Sequence, residues 1–393
     1  MAHYFKTLCL LGKGETRLAQ EGLLKALELD SRLLDARLIL AELYLRERNN
    51  ELARQQIDEA LRLDSNNIKA LMLKGNLKIL DKKFIEAETA FLQVVKKLPD
   101  YAPGYTKLGL LYGLMGEQTK ALENLKKALK LDLKQMDALS LAVSIHIISG
   151  EYDKALQLCE ESKTGISEDS SSLAQIEYIE GKIHLAKKDT STARHHFEQA
   201  IATDANIVAA YVSLARLCIQ ENRMEEAIAH YEALLKKDPQ SLTGHMGIGT
   251  LYDQQGDNQK AEASYRKALE IKDDFAPAAN NLACILLKNG GNIDEALGLA
   301  QIAKEQMPRN PSVMDTLGWL YYLKGSYLNA IAELQDSLAL EPDNPVINYH
   351  MGMAYFKNGQ TDTAKQFLEK ALKIDQNFNE AENALRTLEE IDA

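Results

Sequence analysis

The apolar positions of this chain recur at helical spacing, in pairs of short runs. Between residues 348 and 373, Tyr349, Met351, Gly352, Tyr355 and Phe356 form one stripe, and Gly359 interrupts it. Ala364, Phe367, Leu368, Ala371 and Leu372 then form a second stripe at i, i+3, i+4 and i+7. This predicts two helices joined by a tight turn. The same two-stripe unit returns along the whole chain. Its second stripe ends in Lys25-Ala26-Leu27-Glu28-Leu29-Asp30, which reappears with small changes at 59–64, 127–132, 267–272 and 370–375. Aligned on its second residue, the register falls at 26, 60, 94, 128, 162, 200, 234, 268, 303, 337 and 371. Eight of the ten steps are 34 residues, one is 38 and one is 35, so the chain reads as a repeat array whose neighbours stack.

Small residues hold a fixed phase. The first helices carry Gly75, Gly109, Gly181, Gly249, Gly318 and Gly352, and the second carry Ala19, Ala53, Ala87, Ala121, Ala155, Ala193, Ala227, Ala261, Ala296, Ala330 and Ala364. A small side chain lets two helices cross closely, and a larger one overpacks the crossing at a cost of about 1–3 kcal/mol. The eight prolines all fall between the end of one second helix and the start of the next first helix, where proline is tolerated.

The pattern resembles the tetratricopeptide repeat. Tyr105, Leu108, Gly109, Tyr112, Ala121, Leu125 and Ala128 fit that family's signature, as do Leu317, Gly318, Tyr321, Ala330 and Pro342. The resemblance implies an all-α fold: a right-handed superhelical solenoid of about eleven helix-turn-helix repeats. The predicted repeats are 1–33 (partial), 34–67, 68–101, 102–135, 136–173, 174–207, 208–241, 242–275, 276–310, 311–344 and 345–378, in one solenoid over 1–393. Residues 379–393 read as a polar helix that caps the last apolar face. A narrower resemblance lies in 276–283, 289–297 and 315–319, which are similar to large bacterial repeat proteins of the envelope, linked to exopolysaccharide production and protein sorting.

Composition narrows the function classes. Lys and Arg number 46 against 57 Asp and Glu, a net charge of −11 with no basic stripe, so nucleic acid is not an expected partner. No run approaches about 18 apolar residues, so no membrane span is expected. Cys9, Cys159, Cys218 and Cys284 share no metal-ligand spacing and read as small apolar residues. Residues 1–5 read as lying inside the first helix with no signal peptide ahead, so the chain as it stands is expected in the cytoplasm. The envelope resemblance implies the alternative, a piece of a longer exported protein that is periplasmic or envelope-attached.

Two steps break the period. The 38-residue step falls at 163–172, whose Gly and Ser/Asp cluster predicts a loop, read either as a hinge or as a tolerated surface insertion. The 35-residue step adds one residue to a turn at 289–292 and reads as structural.

No catalytic constellation emerges, so the chain is not expected to be an enzyme and no cofactor or metal is expected. His195 and His196 are adjacent on a helix and diverge by roughly 100°. His184 lies on the partner helix, but no carboxylate partner is evident and the three read as solvated. Gly247-Ile248-Gly249 lacks the preceding strand and the third glycine of a dinucleotide fingerprint. Glu160-Glu161 and Glu225-Glu226 read as solvated helix surface.

In this repeat family the first helices line a concave groove. By phase it receives Lys69, Met72, Asn76, Thr106, Ser140, Ser144, Tyr178 and Lys182 from the first half. Val212, Arg216, Asp253 and Cys284 come from the second, with a candidate partner-binding set of Met246, Thr250, Asn280, Asn281, Asp315, Trp319, Tyr322, Tyr349, Met353 and Phe356. Aromatics and Met are enriched at binding hot spots. The competing reading makes Trp319 and Tyr322 core against the next repeat or the cap. The Lys/Asn clamp of chaperone-tail binders is absent: Met72 and Lys107 stand at two of its positions. The expected function is a non-catalytic scaffold binding a peptide or protein segment of unknown identity. The alternatives are a self-assembling repeat arm, with self-association, and the regulatory or targeting part of a larger envelope or enzyme complex.

Overall fold

The computed structural model describes residues 7, 9–12, 15–166 and 169–393. The expected start of the first helix at residues 1–5 lies outside them. Helices are the only regular elements among the described residues, and none is long and apolar enough to cross a membrane. The chain divides into two compact units, residues 1–210 and 211–393. In the first, antiparallel pairs run from Leu34–Arg46 with Asn50–Leu63 to Ser170–Ala186 with Thr190–Thr203. In the second, they run from Leu242–Gln254 with Asn258–Ile271 to Pro345–Lys357 with Thr361–Ile374, and Ala381–Asp392 closes the stack.

The recurring motif is a helix ending. Its Ala faces the core, and its Asp is the residue at which the helix stops. The carboxylates of Asp30, Asp64, Asp132 and Asp375 each accept from the backbone N–H two residues on, which turns the chain toward the next first helix. The alanines of the second-helix register from Ala19 to Ala364 are fully buried. The first-helix glycines are matched to a large side chain sixteen residues later. A Cβ on Gly181, Gly249, Gly318 or Gly352 would come within 3 Å of Phe197, Tyr265, Leu334 or Leu368 respectively. Sequence period and packing are therefore one fact: the glycine is the hole and the residue at +16 is the knob.

The 38-residue step is not the loop its composition predicts. One helix runs to Thr164 and the next begins at Ser170, four residues earlier than its phase requires, so most of the excess is an added helical turn. Asp169 caps that turn, accepting from the Ser172 N–H at 3.3 Å and from its hydroxyl at 3.0 Å, and pairs with Lys134 at 3.0 Å. The cluster of serines was a helix N-terminus. Residues 167 and 168 of this step lie outside the described residues. Lys163 further ties the two sides of the step, reaching Glu177 at 2.8 Å and Glu180 at 2.5 Å.

Candidate partner-binding groove

In the second unit successive first helices lie side by side and form one face. Met246 and Thr250 sit one turn apart on Leu242–Gln254, and Val212 and Arg216 hold the equivalent places on Val208–Gln220. These four line one cavity of about 400 Å³, which Phe275 and Pro277 complete from the start of Ala276–Lys288. Tyr231 reaches the cavity from the second helix Met224–Lys237 because Gly247 has no side chain: a Cβ there would overlap the Tyr231 ring. Tyr231 is only 7 % exposed, yet its hydroxyl makes no hydrogen bond among the described residues. Burial pushes its phenol up, and the Arg216 guanidinium opposes the shift.

Asn280 lies one turn beyond Pro277 on the same helix face. It is 7 % exposed, and its Oδ1 is buried without a hydrogen-bond partner. Asn281 turns away from this face and donates to the Tyr265 hydroxyl at 3.3 Å. Cys284 meets the Thr316 hydroxyl at 3.4 Å, and Asp253 is paired with Lys288 at 2.8 Å.

The aromatic residues of the last two repeats form a different arrangement. Trp319 is stacked on both faces, with Tyr322 at 4.4 Å and His350 at 4.1 Å between ring centroids. His350 Nδ1 is 2.7 Å from Asp315 Oδ1, which fixes the imidazole against the indole. Tyr349 is 4 % exposed and packs on Phe378 and the cap. Met353 also faces the cap, its sulfur accepting from the Thr387 hydroxyl at 3.5 Å. Phe356 is half-buried with the Lys357 ammonium over its ring. The ten candidate residues thus separate: Met246 and Thr250 line an open cavity, Asp315, Trp319 and Tyr322 belong to a ring stack, Tyr349 and Met353 seat the cap, and Asn280, Asn281 and Phe356 join none of these groups. Tyr231, Phe275, Pro277 and His350 were missed by phase. Gly247 was the one sequence signal for Tyr231, since a second glycine beside the repeat's own glycine makes room for a second ring.

The histidines of the first unit have carboxylate neighbours that spacing did not reveal. His196 Nδ1 is 2.8 Å from Glu177 and 3.4 Å from Glu180, and the His184 ring stacks on His196. These carboxylates and His196 are close enough to share a cation. The Lys163 ammonium fills that role, bonded to both glutamates. Burial pushes the Glu180 carboxyl up against the pull of Lys163, whereas at Glu177 Lys163 and His196 together outweigh burial and hold it down. A further cavity of about 430 Å³ lies in the first unit on the second-helix side, between Gln118–Leu131 and Tyr152–Thr164. It has lysines and Glu161 at its mouth and none of the groove positions.

Comparison with known proteins agrees with this architecture. Tetratricopeptide-repeat models match residues 10–68, 102–135, 184–245, 225–280, 246–312 and 321–391. The chain is 27 % identical over 239 residues to Superkiller complex protein 3 of Mus musculus, covering 58 % of this chain and 15 % of that protein. It is 24 % identical over 285 residues to the BBSome complex member BBS4 homolog of Drosophila melanogaster, covering 70 % of this chain and 58 % of that one. It therefore spans only part of either relative. Among solved structures, the APC/C hetero-tetramer Cut9-Hcn1 aligns over 97 % of this chain and 95 % of its own, at 14 % identity and a TM-score of 0.49. The phased glycines and alanines, the helix pairs they pack and the matching repeat models lead to one conclusion: the chain belongs to the tetratricopeptide-repeat family.

Proposed function

We propose that this chain is a non-catalytic scaffold that binds a peptide or protein segment across the first-helix face of its second unit, centred on the cavity of Met246 and Thr250. Tetratricopeptide-repeat proteins bind protein or peptide partners, and the two relatives above are by name members of multiprotein complexes. The observation that carries the reading is the set of unanswered polar groups on an otherwise apolar face. Asn280 Oδ1 is buried without a hydrogen-bond partner, which costs about 1–3 kcal/mol that a bound segment recovers, and the exposed Arg216 and the Tyr231 hydroxyl have no ion pair or hydrogen bond among the described residues. The apolar floor of Met246, Phe275 and Pro277 supplies the area.

A library of displayed 12-residue peptides selected on the full chain tests this. Met246→Glu puts a charge on the cavity floor and is expected to weaken the selected peptides at least tenfold. Gln335→Arg, exposed on the second helix Tyr327–Leu340, is expected to leave them unchanged. Equal binding by wild type and Met246→Glu, with unchanged helix content, would remove the cavity from the reading.

A further inference from the structure

The cavity has a chemical polarity that narrows its occupant, and this step rests on the groove reading above. Its lining is Val212, Ile219, Met246, Leu251, Phe275 and Pro277, with a few uncharged polar side chains and a single charged one, Arg216. The chain carries a net charge of −11, yet this cavity contains a cation and no carboxylate. Arg223, Arg266 and Arg386 of the same unit each meet a glutamate, whereas Arg216, like the exposed Arg309 outside the cavity, has no ion pair or hydrogen bond among the described residues. Beside Arg216 is the Tyr231 hydroxyl, a donor on a ring that is nine-tenths buried and lines the same cavity. Two donors without acceptors, on an apolar floor, describe a receptor for a carboxylate attached to something apolar.

We propose that this cavity recognises a partner segment in which an aspartate or glutamate side chain flanks an apolar side chain. The apolar side chain occupies the floor of Met246, Phe275 and Pro277. The carboxylate accepts from the Arg216 guanidinium and from the Tyr231 hydroxyl. A chain-terminal carboxylate is the poorer fit. Terminal carboxylates are typically captured by clusters of free backbone N–H groups. The lining residues lie within helices, save Phe275, which directly precedes one, so their N–H groups are largely committed to helical hydrogen bonds. A side-chain carboxylate needs only the two side-chain donors present.

The test uses the full chain and displayed 12-residue peptides fused at their N-termini, so that their C-termini are free. Peptides selected on the wild type are expected to share an Asp or Glu next to an apolar residue. Arg216 is exposed, so Arg216→Glu is expected to keep its helix content while losing about tenfold to a hundredfold in affinity for them. Selection on Arg216→Glu is expected to return Lys or Arg in place of the acid. Arg216→Lys keeps the charge and loses the fork, and is expected to fall between the two. Peptides that bind Arg216→Glu as well as wild type but are lost with Met246→Glu overturn the carboxylate assignment and leave the groove reading standing. Failure to select any peptide removes both. Synthetic versions with amidated and free C-termini give the last arm, and binding that requires the free terminus overturns the side-chain assignment.

Discussion

The cavity of repeats seven to nine and the ring stack of repeats ten and eleven lie on corresponding faces of the same unit, and they differ in what is already used. Around Met246 the apolar surface is modest, but Arg216 and the Tyr231 hydroxyl have no ion pair or hydrogen bond among the described residues. Around Trp319 the aromatic surface is large, but it is spent. Tyr322 and His350 cover the two faces of the indole, Asp315 holds His350, and the cap helix covers Tyr349 and Met353. Aromatic density is a poor guide to a binding face when the rings satisfy one another. What sets the Met246 cavity apart is its chemistry, a cation with no carboxylate on an apolar floor.

The largest effect that separates the two regions is Trp319→Ala. Removing the filling of a three-ring sandwich is expected to cost about 2–3 kcal/mol and to lower the melting temperature, seen by circular dichroism. The same variant is expected to bind peptides selected through the Met246 cavity with unchanged affinity. Loss of that binding with intact melting would reverse the comparison and return the site to the rings. Asp315→Ala is a smaller probe of the same stack. It leaves the buried His350 imidazole without its acceptor and is expected to cost about 1–2 kcal/mol, read as a shift in the urea midpoint with an unchanged slope.

A pH probe bears on the first unit, where a polar junction lies at the step read either as a hinge or as a tolerated insertion. The Lys134 ammonium, together with the Ser172 N–H and hydroxyl, holds the Asp169 carboxyl down at about 2. A depressed carboxyl stabilises the fold above its unfolded value of roughly 3.9 and loses that contribution as pH falls toward 2. Asp169→Asn keeps a capping oxygen but not the charge. Its urea midpoint is expected below wild type at pH 7, with the gap closing between about pH 4 and pH 2. A gap independent of pH would mean the carboxylate charge contributes nothing there.

What was legible in the sequence was whatever the period repeats. The buried alanines, the glycine-to-knob spacing and the proline positions follow from one phase, and so do Met246 and Thr250 on the cavity wall. What was illegible came from contacts that cross the phase. His350 covers Trp319 from the next repeat at a position that points into a helix interface, and no first-helix rule names it. Tyr231 belongs to a second helix and reaches the opposite face only because Gly247 admits its ring. Asn281 sits beside Asn280 in sequence, but adjacent helical residues diverge, so one faces the groove side and the other bonds Tyr265. The Ser-rich step was misread because loop composition and helix N-terminus composition are the same residues. The decisive residue was Asp169, a cap three before Ser172.

The finest test compares two tyrosines that differ by one hydroxyl each. Tyr265 and Tyr231 occupy related places, each ring lying against a glycine of Leu242–Gln254, Tyr265 on Gly249 and Tyr231 on Gly247. The Tyr265 hydroxyl accepts from Asn281 and is also bonded to Thr250, in a fully buried setting. Tyr265→Phe therefore leaves the Asn281 amide short of an acceptor and is expected to destabilise by about 1 kcal/mol. The Tyr231 hydroxyl has no hydrogen bond among the described residues, so Tyr231→Phe keeps the ring and its packing and is expected to change stability by less than about 0.5 kcal/mol. Its effect is expected to fall on acidic peptide binding, with a loss of about threefold to tenfold in affinity. Matched urea titrations of the two variants decide the point. Equal destabilisation would mean that the Tyr231 hydroxyl is satisfied within the fold, and the distinction between an open cavity and a ring stack would lose one of its supports. A stable Tyr231→Phe with weakened peptide binding would assign that hydroxyl to the partner rather than to the protein.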